Sequence, residues 1–191
     1  IVIVLTGIMA VSLTSLSRYS ISGYIDGKDR NRLSQSGKWV SERLSRELRN
    51  ALPQSVRVDA SNNCVEFMVI SNASSSLDMP PSNPVSQFNA VAFDLGALPA
   101  NLIAVMPLQA SEIYAGSGGG TLADVASVVA NGLPSQVTVT LATPSNFARR
   151  SPLGRFYLLD SPVSFCLDAA SGQLSRYSNY PITLAQAAPP I

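Results

Sequence analysis

Two cysteines, Cys64 and Cys166, are the most reactive side chains of this 191-residue chain, and no histidine accompanies them. Without histidine there is no imidazole base, no serine–histidine triad and almost no route to a zinc site. Two thiols are also too few for a thiolate cluster. Each sits in a strand-like run, CVEFMVI and VSFCLD. In an oxidising compartment the pair reads as one disulfide that closes a loop of ~100 residues and contributes up to about 4–5 kcal/mol in the chain-entropy description. In a reducing compartment the same pair reads as two buried thiols.

The other polar groups form no reactive set. The glycines at 116–120 (GSGGG) precede no G-K-[ST] and belong to no strand-to-helix fingerprint, so they read as a loop and not as a phosphate cradle. Arg149 and Arg150, with Arg155 nearby, make a basic loop suited to an acidic partner or a phosphate, although solvated surface is the plainer reading. Phe156, Tyr157, Tyr177 and Tyr180 fit sheet packing better than base stacking. Asp160 and Asp168 flank one strand, with nothing to place a substrate between them. The expectation is a non-enzymatic chain with no cofactor, no metal and no nucleic-acid partner. Arg149 and Arg150 are its candidate partner contacts.

The elements that must carry these groups fall into two textures. Residues 1–16 (IVIVLTGIMAVSLTSL) hold no charge, and no proline occurs before Pro53. The apolar run joins a charged, striped segment without a break, which predicts one helix whose 52 residues span about 78 Å at ~1.5 Å each. A helix of that length exceeds what one head domain can cover. The uncharged run has 16 residues, short of the ~20 that cross a bilayer. No A-x-A-like site follows it, so it is expected to be a membrane span whose first residues lie upstream. Gly23 and Gly27, at about 1 kcal/mol each relative to alanine, mark a kink or melted turn.

From Asp29 onward Leu33, Gly37, Val40, Leu44, Leu48 and Leu52 recur at helical steps, with Trp39 and Ala51 at the edges of the stripe. Glu42–Arg46 and Arg43–Glu47 are spaced as supporting pairs, and Pro53 ends the helix. Leu33, Val40, Leu44, Leu48 and Leu52 are expected to pack the helix on a sheet of the same chain. Charge divides likewise: residues 1–57 hold 9 basic and 4 acidic side chains, and residues 58–191 hold 4 and 8. A basic stalk and an acidic head suit packing between neighbouring copies.

Beyond Pro53, β-branched and aromatic runs predict strands at 55–58, 64–70, 88–95, 102–106, 136–142, 155–160, 163–168 and 173–178. The last two form a hairpin with Gly172 at the turn. Leu122–Ala130 reads as a short helix with Thr121 as N-cap and Gly132 near its end. Loops are expected at 71–84, 116–120 and 143–152, with a mobile tail after Pro181. The expected fold class is α+β, a long N-terminal helix, apolar then amphipathic, packed on an antiparallel β-sheet head.

Three stretches, DRNRLSQSGKWVSERLSRELRNALPQSVRV, NCVEF and SPLGRFYLLDSPVSFCLD…GQLSRYSNY, resemble the large MshO-type minor pilins of the mannose-sensitive haemagglutinin (MSHA) pilus. More distantly they resemble the J-type minor pseudopilins of type II secretion. The likeness covers nearly all of the chain after residue 18 and implies a type IV pilin-like fold. Residues 1–17 would be the membrane or filament-core part of the helix, 18–52 its amphipathic part and 53–191 the β-rich head. It also implies an exported protein, which favours a Cys64–Cys166 bridge. A prepilin peptidase would have cut and methylated the N-terminus, and Ile1 is expected to lie just downstream of that site.

The function so implied is structural: a minor pilin that helps initiate pilus assembly and sits in a tip complex. Its partners would be other minor pilins, the major pilin, the assembly platform and, before assembly, inner-membrane lipid with the head in the periplasm. A type II secretion pseudopilin, or a tip adhesin using the loops at 71–84 and 143–152, are the alternatives. A membrane-anchored enzyme ranks last.

Overall fold

The computed structural model describes residues 1–79, 84–93, 102–186 and 190, and the chain divides into two compact units, Ile1–Glu47 and Leu48–Ile191. The first is helical. α1 (Val2–Arg49) keeps its helical assignment through Gly23 and Gly27, so the expected melted turn does not form. The Thr6 hydroxyl is satisfied within the helix, its Oγ1 lying 3.1 Å from Val2 O and 3.0 Å from Ile3 O. Farther along, Arg43 Nε reaches Glu47 Oε1 at 3.2 Å, and Lys38 takes Glu42 as its partner at 4.0 Å.

Two expectations for this helix are corrected. Among the described residues no helix is long and apolar enough to cross a membrane. The uncharged run is short and is diluted by Thr6, Gly7, Ser12, Thr14 and Ser15. The leucine stripe is graded along its length, and its last member, Leu52, is buried at 1% exposure. Up to Glu47 no described side chain of α1 is buried; Leu33 is 74% exposed and Val40 and Leu44 are half-buried. The expected fold class, a long apolar-then-amphipathic helix on a type IV pilin-like head, is therefore replaced by a mostly antiparallel eight-stranded sheet preceded by a helix that has no membrane-spanning apolar stretch among the described residues, α+β only in the loose sense.

The β unit contains β1 (Arg57–Val58), β2 (Cys64–Ser75), β3 (Val85–Val91), β4 (Leu102–Ala104), α2 (Ala110–Tyr114), a 3-10 turn (Gly116–Gly119), β5 (Leu122–Ala130), β6 (Gln136–Ser145), β7 (Arg155–Asp168) and β8 (Gln173–Ser178). All pairings are antiparallel, in the order β1-β2-β7-β4-β5-β6-β3, with β8 beside β7. β7 is the spine. β2 follows one of its edges from Ser75↔Arg155 to Cys64↔Cys166, while β4 and then β8 share the other, end to end. Its two expected halves form one strand despite Pro162, which stands opposite Met68 beside a register shift in β2, where a proline is tolerated.

The outer strands return on each other. Ser76 bridges Ala90, Leu77 N–H donates to Asn89 O at 2.8 Å, and Ser74 Oγ donates to Val91 O at 2.7 Å. The end of β2 thus meets β3, and β2, β7, β4, β5, β6 and β3 close through that contact, which covers two strand edges. Gly154, at φ +64, begins β7 against this seam; a Cβ there would lie 2.7 Å from Ser76 O. Inside sit Phe88, Ala90, Ile103, Ala123, Val137, Val139, Phe156 and Leu158. Outside, Leu52, Met68, Ala104, Leu122 and Leu159 are covered by Ile113 and Tyr114 of α2. Strand alternation sends Phe156 and Leu158 inward and Tyr157 and Leu159 outward, and each large apolar side chain so buried contributes about 1.5–3 kcal/mol.

Leu122–Ala130 is a strand and not the expected helix. Its backbone pairs with β4 and β6, where Val125, Val128 and Val129 suit a pleated surface. Residues 71–75 of the expected loop continue β2, and Ala110–Tyr114, where no element is predicted, is a short helix. Residues 80–83 of that loop, 94–95 of the expected third strand, and 187–189 and 191 of the tail lie outside the described residues.

Candidate functional site

The two cysteines stand directly opposite each other on β2 and β7, and their sulfurs are bonded at 2.05 Å. The bridge floors an open cleft of about 360 Å³ lined by Asp59, Asn63, Asp168, Ser175 and Tyr177 among others. Asp59 accepts from the backbone N–H groups of Cys64 (2.6 Å), Asn63 (2.8 Å) and Ser61 (2.9 Å), and these bonds hold its carboxyl below the usual range. Asp168 accepts from Ser171 Oγ at 2.6 Å and Ala170 N at 3.0 Å, which lowers its carboxyl too and caps the β7–β8 turn at Gly172. Both carboxylates are spent on the loops beside the disulfide, where they hold the two strands in place.

The basic loop divides. Arg149 forms a two-pronged pair with Glu112 of α2, Nη2–Oε1 at 2.7 Å and Nη1–Oε2 at 2.9 Å. Leu108 N–H adds a bond to the same carboxylate at 3.0 Å. Arg149, and then Leu108, hold the Glu112 carboxyl down to about 2. Arg149 is therefore occupied within its own chain, tying the loop after β6 to α2. Arg150 is exposed. Asp160 accepts from Ser161 N at 2.7 Å at the bend of β7, and the structure brings it to neither Arg149 nor Asp168.

A buried polar network is the feature sequence reasoning missed. Glu66 on β2 is 1% exposed and takes Arg57 Nε of β1 on Oε2 and Tyr180 Oη on Oε1, the latter at 2.9 Å. Since Tyr180 donates to Glu66, Ser164 Oγ donates to Tyr180 Oη, at 2.5 Å. The Arg57 guanidinium also donates to Leu184 O and Thr183 O at 2.6 and 2.8 Å, and lies 3.4 Å from the centroid of the Tyr114 ring. Tyr114 Oη donates to Ser55 O at 2.9 Å. Burial, reinforced by the nearby Glu66 charge, raises the phenol of Tyr114, and burial likewise raises that of Tyr180. The tail expected to be mobile is thus strapped over the sheet as far as Gln186, whose Nε2 donates to Cys64 O at 3.3 Å. No local motif signals these partners, because they are separated by up to 127 residues.

Among the described residues no group of three His, Cys, Asp or Glu side chains is placed to hold a metal ion. Phe156 lies in the core, edge-on to Phe88 at 5.3 Å, and Tyr157 is half-buried. The arrangement cross-links: the disulfide, the Glu66 network and the Glu112–Arg149 pair each join segments remote in sequence. Compared with protein-family models, with curated proteins and with solved structures, the chain has no significant match.

Proposed function

We propose that the chain is a non-catalytic subunit of an exported surface filament, a minor pilin that helps to initiate assembly. The observation that carries this reading is the contrast between its units. The β unit fills its own core and is cross-linked by Cys64–Cys166, whereas α1 up to Glu47 has no described side chain buried. Helices in proteins draw most of their stability from packing. A helix that exposes Ile1, Ile3, Met9, Tyr19, Tyr24 and Trp39 has apolar and aromatic surface left to cover. Neighbouring helices of a filament supply that cover. The disulfide suits the oxidising side of the inner membrane.

The test is deletion of the gene. Cells should then carry few or no surface filaments while the major subunit still accumulates in the membrane fraction. Normal filament numbers would overturn the reading, and a selective loss of enzyme secretion with filaments intact would reassign the chain to a secretion system.

A further inference from the structure

After β8 the chain leaves the edge of β7 at Asn179, a non-glycine residue at φ +63. It crosses Ser164 of β7 and Glu66 of β2 to reach Arg57 of β1, and residues 180–186 form the strap. The bend is fastened at Ser161, whose Oγ donates to Asn179 Oδ1 and accepts from Asn179 N, both at 3.2 Å. Beyond it, every described bond between the strap and the rest of the β unit runs through a side chain. Tyr180 meets Glu66 and Ser164, Arg57 takes the carbonyls of Thr183 and Leu184, and Gln186 reaches Cys64 O. Among the described residues no backbone ladder continues β8 into the strap. Residues 181 and 183–185 are exposed, while Ile182 is half-buried against the cluster under α2. Gln186 Oε1 is buried and has no partner among the described residues.

The seat under the strap stands by itself. Arg57 pairs with Glu66 and lies over the Tyr114 ring without help from any strap residue, so both contacts survive when the strap leaves. Water then takes the freed guanidinium donors and the freed Glu66 oxygen. A second copy offers the same seat and the same strap, so closure within one chain and exchange between two differ only at the hinge and in linkage. We propose that two copies of the chain exchange straps, each laying residues 180–186 into the Arg57–Glu66–Tyr114 seat of the other while β8 runs straight on through residue 179. The seat already holds this sequence, which fixes the chemistry of the occupant. Exchange also releases Asn179 from the left-handed region, which few non-glycine residues adopt. Closure within one chain has an effective concentration on the order of mM, so exchange belongs to copies crowded to that level. The contact is between two copies and does not rest on the filament reading.

The hinge gives opposite expectations for two substitutions outside the core. Asn179→Val puts a β-branched residue where φ is positive and should drive exchange, whereas Asn179→Gly accepts that conformation and should keep the strap at home. The full chain is equilibrated at about 1 mM in a non-ionic detergent and read by size-exclusion chromatography with light scattering. The dimer association constant of Asn179→Val should exceed that of Asn179→Gly by roughly tenfold, because two hinges are strained at once. Adding Ile182→Asp to Asn179→Val removes the strap's apolar anchor and should restore the monomer, with an unchanged far-ultraviolet circular dichroism spectrum. Equal or reversed association of the two hinge variants would assign the dimer to another surface, the apolar opening included, and overturns the proposal. A dimer that survives Ile182→Asp overturns it, and so does a monomer in every variant.

Discussion

Tyr180 Oη donates to Glu66 Oε1 at 2.9 Å, joining side chains 114 residues apart in sequence. Through that bond and the Arg57 contacts the last described segment is fastened across β1 and β2. Tyr180→Phe leaves one oxygen of a buried carboxylate unpaired and should cost about 1–3 kcal/mol. Arg57→Met leaves the Glu66 charge without its cation and should cost about 3–5 kcal/mol. Urea midpoints at an unchanged slope measure both. Equal, negligible effects would show that the strap contributes nothing to stability.

The disulfide gives a second prediction. Cys64 and Cys166 are 102 residues apart, and the paired Cys64→Ser/Cys166→Ser variant should lose about 2–5 kcal/mol. The denatured, unreduced wild-type chain should show no free thiol. Two free thiols would contradict the bridge.

The pH dependence follows from Glu112. Its folded carboxyl is held at about 2 against an ordinary 4.5, so the stability it contributes is complete above 4.5 and is lost as pH falls toward 2. Asp59 and Asp168, also lowered, add loss in the acid range. Arg149→Gln should bring the Glu112 titration, followed by carboxyl carbon shifts, back up toward 4.5 and flatten the acid arm of the stability curve. At high pH the sign reverses. The stability tied to the raised phenols of Tyr114 and Tyr180 is complete below the ordinary tyrosine value of 10.0 and is lost progressively as pH climbs above it, with both phenols protonated in the folded chain over that range.

The leucine stripe offers an internal contrast. Leu52 is 1% exposed in the cluster under α2, and Leu52→Ala should cost about 2–5 kcal/mol. Leu33, largely in solvent, should lose no more than about 0.5 kcal/mol in the isolated chain. A large effect at Leu33 would restore the packed-helix expectation.

What the sequence displayed, it displayed through local pattern. Alternation over QVTVTLA located β6, and Gly172 between two β runs located the β7–β8 hairpin, whose pairing begins at Asp168↔Gln173. Leu122–Ala130 was misread because its valines are spaced three and four apart, as a helix would space them, while the deciding partners, β4 and β6, are distant in sequence. The same distance hid Glu66, whose role depends on Arg57, Ser164 and Tyr180 meeting it from three segments. Arg149 looked available to a partner because nothing near it in sequence is acidic; Glu112, 37 residues away, claims it.

Amide hydrogen exchange tests the central claim most directly, by asking where the cover of α1 comes from. In the isolated, monomeric chain the amides of residues 2–47 should exchange orders of magnitude faster than those of β2 and β7. In chain recovered within filaments they should be strongly protected. Protection of the helix in the monomer equal to that of β7 would mean that the chain covers its own helix, and would contradict the account.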